Sequence, residues 1–245
     1  MNDSINNFNK QMNKEINNFY QNIMNILFNN IIKNGFYIPI ISIFLYFMYS
    51  DIYISSLFFL KGYIVNYYYF YAQYYPNPSM HKIIHFFRLT DSGHIASLLF
   101  ILNKKYVPLA HNIHFVIDVG YYIAYLLFNM KPSISYNNNI LEKIHDSSVH
   151  SLFYIFIVHY IINHKNEEIC NFNNESLFYT YAWINGWFIF IFIPWVYCTN
   201  IYFYSVLEPS KPLYLRLGMI MFMNSLVYIG NETGKFLCNL SCTKK

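Results

Sequence analysis

The sequence predicts an all-α, polytopic membrane protein, and three observations carry that prediction. Hydrophobic residues fill 56% of the 245 positions and aromatic residues 22%, whereas charged residues reach only 11%, against ~25% in an ordinary soluble domain. Long apolar stretches follow one another down the chain, each stopped by a short polar or proline-bearing turn. No stretch of any size reads as a soluble module, so a single membrane domain is expected. The formal charge of +4 is scattered rather than clustered, unlike the basic footprint of a nucleic-acid binder. Asn, Ile, Tyr, Phe and Lys are abundant in the manner of an AT-rich coding sequence, so single asparagines receive little weight.

Residues 1–33 are polar and Asn-rich, without the basic region, apolar core and cleavage site of a signal peptide. From Phe19 to Phe36 the apolar residues Phe19, Ile23, Ile26, Leu27 and Ile31 recur at helical spacing, as in a helix lying on a membrane surface; a disordered tail is the alternative. The membrane domain is expected over 34–235, with 236–245 as a tail. Its first span runs from Phe36 to about Ser50, ahead of Asp51. The second covers Ser55 to Tyr74, holds Lys61 and Asn66, and stops at the turn Pro76 to Ser79. The third extends from Ile83 to Leu102, ahead of Asn103, Lys104 and Lys105. The fourth occupies Val107 to Phe128, and Ser135 to Asn139 form a loop. The fifth covers Ser147 to Asn163, closed by His164 to Glu168. The sixth, Leu177 to about Val206, carries Pro194 as a kink. The seventh follows the turn Glu208 to Pro212 and runs from Leu213 to Gly230. About seven transmembrane helices result, and the lysines do not decide their orientation.

Four cysteines, Cys170, Cys198, Cys238 and Cys242, suggest no framework; reduced thiols or a palmitoylated tail are expected. The histidines are more informative. His111 and His114 are three apart and Asp118 four further on, roughly along one helical stripe, and Asp146 and His150 stand at i and i+4 on the next span. Ionisable groups at membrane depth mark function. An Asp beside an imidazole holds one tautomer and raises basicity, which suits general-base or nucleophilic work, and such a set also suits a metal. His81, His85, His159 and His164 read instead as interfacial residues bonded to carbonyls.

At these residues the chain resembles the ELO family of very-long-chain fatty acid elongases. LNKK at Leu102 to Lys105, followed after five residues by HNIHF at His111 to Phe115, is similar to the family's LRKK and HxxHH. DSSVHSLFY at Asp146 to Tyr154 resembles its NSFVHxxMY. Leu60, Lys61 and Asn66, and Phe222 to Asn224, are weaker echoes. Phe115 stands for the third histidine, Asn103 for the Arg and Asp146 for the Asn. Thr90, Gly93 and Ala96 fall in register with the family's Lys, Glu and Asp, while Asp91 and His94 lie nearby but out of register.

The resemblance implies six of seven helices forming an inverted barrel around a closed-ended acyl tunnel, in the endoplasmic reticulum membrane with a cytosolic mouth. It implies condensation of a long-chain acyl-CoA with malonyl-CoA to give 3-ketoacyl-CoA and CO2, through an acyl-imidazole and without a cofactor or metal. His114 and His150 become the facing catalytic pair, supported by His111. Lys104 and Lys105 meet the CoA phosphates, and Asp118, Asp146 and Tyr154 complete the substrate site. Partners are the acyl-CoA substrates, membrane lipid, and the reductase and dehydratase of an elongation cycle. Competing readings are an ELO-like protein with altered chemistry, a TLC-type acyltransferase suggested by Gly120 to Tyr125, and a non-enzymatic transporter or structural protein. A di-iron desaturase needs about eight histidines in three boxes, and HxxHH is missing here.

Overall fold

The computed structural model describes residues 87–128, 140–164, 166–200, 202 and 204–240. Those residues are helical, without a strand among them: Leu89–Leu102 (α1), a 3-10 turn Lys104–Tyr106, Val107–Phe128 (α2), Ile140–Asn163 (α3), Asn174–Trp187 (α4), a π-helical turn Phe188–Phe192, Ile193–Thr199 (α5), a 3-10 turn Ser205–Leu207, and Leu213–Asn239 (α6). The first two expected spans and the N-terminal segment lie outside the described residues.

The chain divides into two compact units. One comprises Arg88–Phe190 with Tyr202–Lys245, the other Met1–Phe87 with Ile191–Ile201. The described part of the second unit contains α5, where Trp195 is fully buried and its ring lies 4.9 Å from that of Phe87. The candidate site lies in the first unit.

Local chemistry explains most of the boundaries. Arg88 is extended, and α1 starts at Leu89; the expected start at Ile83 lies outside the described residues. Asp91 in the first turn suits the positive end of the helix dipole. Asn103 is extended again, and its side-chain oxygen accepts from the Lys105 backbone N–H at 3.0 Å. That Asx turn nucleates the short 3-10 turn leading into α2, whose second residue, Pro108, needs no hydrogen-bond acceptor there. The Asn173 side chain caps α4 by accepting from Ser176 N–H at 2.9 Å.

The irregularity expected at Pro194 takes the form of the π turn immediately ahead of it, which accommodates a residue without an N–H. The helical run then ends at Thr199, seven residues before the expected Val206, because Asn200 adopts a left-handed conformation with φ 55°. α6 instead continues past the expected Gly230 to Asn239. Gly230 and Gly234 are packing positions, not helix ends. A Cβ on Gly230 would stand 3.0 Å from the Phe115 ring, and one on Gly234 would strike the ring of Phe172.

α2 is the hub, packed by α1, α3, α4 and α6. Its register with α6 is antiparallel: Asn112 meets Asn231, Phe115 meets Gly230, and Gly120 meets Leu226. Towards α1, His114 meets Gly93 and Ser97; towards α3, Tyr154 meets His111 and Ser151 meets Asp118. The start of α2, the ends of α1 and α3, the start of α4 and the end of α6 thus share one end of the unit.

Two described helical runs, Asn174–Thr199 and Leu213–Asn239, are long and apolar enough to cross a membrane. Only 28% and 17% of their most apolar stretches are buried, unlike the core helix of a soluble protein. On α6 the exposed face carries Tyr214, Leu217, Met221, Tyr228 and Phe236, whereas Asp91, His94, Ser97, His111, Asn112, His114 and Asn231 are buried. Apolar skin around a polar interior is the arrangement a lipid surround favours.

Candidate functional site

The buried polar groups fall into three tiers along α2. In the first, His111 is fully buried. Its Nδ1 is 3.1 Å from Asn112 Oδ1, and its Nε2 is 3.5 Å from the Tyr154 hydroxyl. The Tyr154 ring stands 5.4 Å away and Phe172 meets the imidazole edge-on at 5.2 Å. The other end of the Asn112 amide donates to Asn231 Oδ1 at 3.1 Å and Thr180 Oγ1 at 3.4 Å. Ser176 Oγ reaches Asn231 Oδ1 at 3.2 Å. Three helices, α2, α4 and α6, are tied together by these side chains.

In the second tier His114 Nε2 donates to the Gly93 carbonyl at 2.9 Å and lies 2.8 Å from Ser97 Oγ. A carbonyl only accepts, so that nitrogen carries a proton. Gly93 permits this approach: a Cβ there would run into Ile117 and stand 3.4 Å from the imidazole. The Phe153 ring lies nearly parallel to His114 at 5.3 Å and stacks on His94 at 4.0 Å. His94 Nδ1 is 3.7 Å from Asp91 Oδ1, and Arg88 Nε donates to Asp91 Oδ2 at 3.3 Å.

In the third tier His150 Nε2 is 3.3 Å from Thr90 Oγ1, and its ring stacks on Tyr121 at 3.9 Å. Ser151 Oγ donates to Asp118 Oδ1 at 2.7 Å, so the Tyr122 hydroxyl, 2.9 Å away, donates in turn to Ser151.

All three expected catalytic histidines are therefore interior. The stripe read from spacing splits, however, because His111 turns towards α3 and the segment before α4, and His114 turns towards α1. The nearest partners of their ring nitrogens are Asn112 Oδ1 for His111 and Ser97 Oγ with the Gly93 carbonyl for His114, whereas Asp118 accepts from Ser151. Tyr154 joins His111 directly. Lys104 and Lys105 are exposed in the 3-10 turn, Lys105 Nζ lying 5.1 Å from the Tyr106 ring centre. Asp146 is on α3, but its side chain lies outside the described residues, as do His81 and His85. His164 fits its expectation, with Nδ1 3.3 Å from the Tyr160 carbonyl.

Spacing does not single out Asn112, Thr180 or Asn231, and Asp91 and His94 enter only as neighbours of the register positions Thr90, Gly93 and Ala96. For the asparagines the signal was masked by their abundance; one cue remained, Asn112 between two histidines of a single motif. Cys170 and Cys238 form a disulfide with Cα atoms 5.8 Å apart, correcting the expectation of reduced thiols. Their 68-residue separation leaves no local spacing pattern to read. Among the described residues no group of three or more His, Cys, Asp or Glu side chains is placed to share a metal ion.

Set against protein-family models, curated proteins and solved structures, the chain matches none of them.

Proposed function

We propose that this chain is a membrane-embedded condensing enzyme of the ELO kind, which joins a long-chain acyl-CoA to malonyl-CoA. The single observation that carries the reading is His111: a dry imidazole with one nitrogen against an amide oxygen and the other against a hydroxyl, inside an apolar-skinned helical unit. Such an imidazole is suited to attack on an activated carbonyl.

His111 Nε2 attacks the thioester carbonyl carbon, the C–S bond breaks, and the coenzyme A thiolate leaves. Malonyl-CoA then loses CO2, and its carbanion attacks the acyl-imidazole carbonyl. The imidazole departs, and the thiolate takes up a proton, leaving 3-ketoacyl-CoA, CO2 and free CoA. The Tyr154 hydroxyl lies where it can donate to the carbonyl oxygen as negative charge develops there. His114, with Nε2–H committed to Gly93, supports the wall behind. Excluding water protects the intermediate from hydrolysis.

Seven spans, six of them around an acyl tunnel, belong to this reading, as do an endoplasmic reticulum membrane and the reductase and dehydratase of a cycle. The disulfide supports a membrane of the secretory route, whose lumen is oxidising. The test is an assay of purified protein in detergent with labelled malonyl-CoA and a panel of acyl-CoAs, beside the His111→Ala, His114→Ala and His150→Ala variants. Labelled 3-ketoacyl product from the wild type, abolished in His111→Ala, supports the reading. No product from folded wild type at saturating substrate sinks it.

A further inference from the structure

The Asn112 amide has one face towards His111 and the other towards two hydrogen-bonding partners, and which face is which decides the chemistry of the imidazole. Thr180 Oγ1 donates to the Ser176 carbonyl at 2.8 Å, the shortest contact in the network. With its single proton committed, Thr180 offers Asn112 only a lone pair, so the atom of Asn112 that faces it is the NH2 group. The same NH2 donates to Asn231 Oδ1, at 3.1 Å. Asn231 is oriented in turn by Ser176 Oγ, which lies 3.2 Å from that oxygen and 2.9 Å from the Asn173 carbonyl. The Ser176 hydroxyl thus has its one proton between two acceptors, the Asn173 carbonyl and Asn231 Oδ1, and it is Thr180 that fixes which face of Asn112 carries the NH2.

With its NH2 turned to α4 and α6, Asn112 presents Oδ1 to His111 Nδ1 at 3.1 Å. An amide oxygen only accepts, so Nδ1 carries the proton and Nε2 the lone pair. Asn112, Thr180 and Asn231 are all buried, leaving no bulk water to compete for these bonds. We propose that Asn112 is the positioning residue of the site: clamped by Thr180 and Asn231, it fixes His111 in the Nδ1–H tautomer and aims the Nε2 lone pair at Tyr154. A carboxylate commonly fills this role for an imidazole; here a neutral amide does so, without placing a negative charge beside the reacting acyl group. The catalytic consequence rests on the reading of His111 as the nucleophile. The tautomer itself does not.

The experiment is nitrogen NMR of full-length protein carrying 15N-labelled histidine, in detergent, with the His111→Gln variant identifying the His111 signals by their disappearance. Wild type is expected to show a protonated Nδ1 and a bare Nε2. Asn112→Leu is expected to move the proton, wholly or in part, to Nε2 and to lower kcat for condensation on the order of 10²-fold with KM little changed. Asn112→Asp keeps an acceptor at Nδ1 and should restore the tautomer, while the added negative charge and the lost donations to Thr180 and Asn231 keep kcat below that of wild type. If Asn112→Leu fails to fold, Asn231→Leu, which removes one clamp, should give the same shift in smaller proportion. A wild-type signal with the proton on Nε2 overturns the proposal, as does an unchanged tautomer in the folded Asn112→Leu variant, even if activity falls. A tautomer that responds as expected in a protein that makes no condensation product upholds the positioning role and overturns only the elongase reading.

Discussion

Tyr154 and Phe172 shape the space around His111. The Tyr154 hydroxyl is 3.5 Å from Nε2, at the long end of hydrogen bonding, which leaves the contact free to tighten when a carbonyl arrives. Tyr154→Phe is therefore expected to fold normally and to lose about 10-fold in kcat for condensation; full turnover would remove Tyr154 from the reaction. Phe172 covers the imidazole edge because Gly234 yields the space for its ring. Gly234→Ala is expected to displace that ring and to cost about 1–3 kcal/mol, read as a lower unfolding midpoint in detergent. At this scale the sequence exposed the histidines, since ionisable groups stand out in apolar spans. It concealed Asn112 and Asn231, because asparagine is common throughout the chain and only the folded interior distinguishes a dry amide from a wet one.

Among the elements, α2 was legible at both ends: Asn103 to Lys105 and Pro108 mark its start, and Lys131 and Pro132 stand soon after its close. α6 was not, since Gly230 reads as a terminator by itself and becomes a contact surface only once Phe115 lies against it. Helices in lipid adhere through such small-residue contacts and through side-chain hydrogen bonds. Asn185 and Asn224 supply an instance between α4 and α6, exchanging bonds of 2.9 and 3.5 Å. A double-mutant cycle of Asn185→Leu and Asn224→Leu is expected to show a coupling of about 0.5–1.5 kcal/mol. Strict additivity in thermal or denaturant unfolding would mean that the pair does not join the helices.

For the molecule as a whole, the antiparallel register brings the Cys170–Cys238 bridge level with the start of α2, at the same end as Lys104 and Lys105. The resemblance asks for a cytosolic mouth beside those lysines, whereas disulfides persist in oxidising compartments and are rare in the cytosol. Both requirements fall on one face of the membrane, and the structure carries the bridge. Under the proposed function the bridge would put this end on the oxidising face and the approach of coenzyme A at the other. In sealed microsomes Cys170 and Cys238 are expected to resist a membrane-impermeant maleimide until the vesicles are opened and reduced, and Lys105→Ala is expected to leave the KM for malonyl-CoA unchanged. Ready labelling of both thiols in intact, outward-facing vesicles would reverse the orientation. None of this was legible beforehand, because scattered lysines give no charge bias and a pairing across 68 residues is made by tertiary structure alone.

The central claim is that His111 carries the acyl group. The most direct measurement is peptide mass spectrometry of protein quenched after mixing with a labelled long-chain acyl-CoA in the absence of malonyl-CoA. One added acyl mass is expected on the peptide containing His111, discharged when malonyl-CoA is supplied and missing in His111→Ala. Acylation of a different histidine, or a wild-type protein that stays unmodified while turning over substrate, would contradict it.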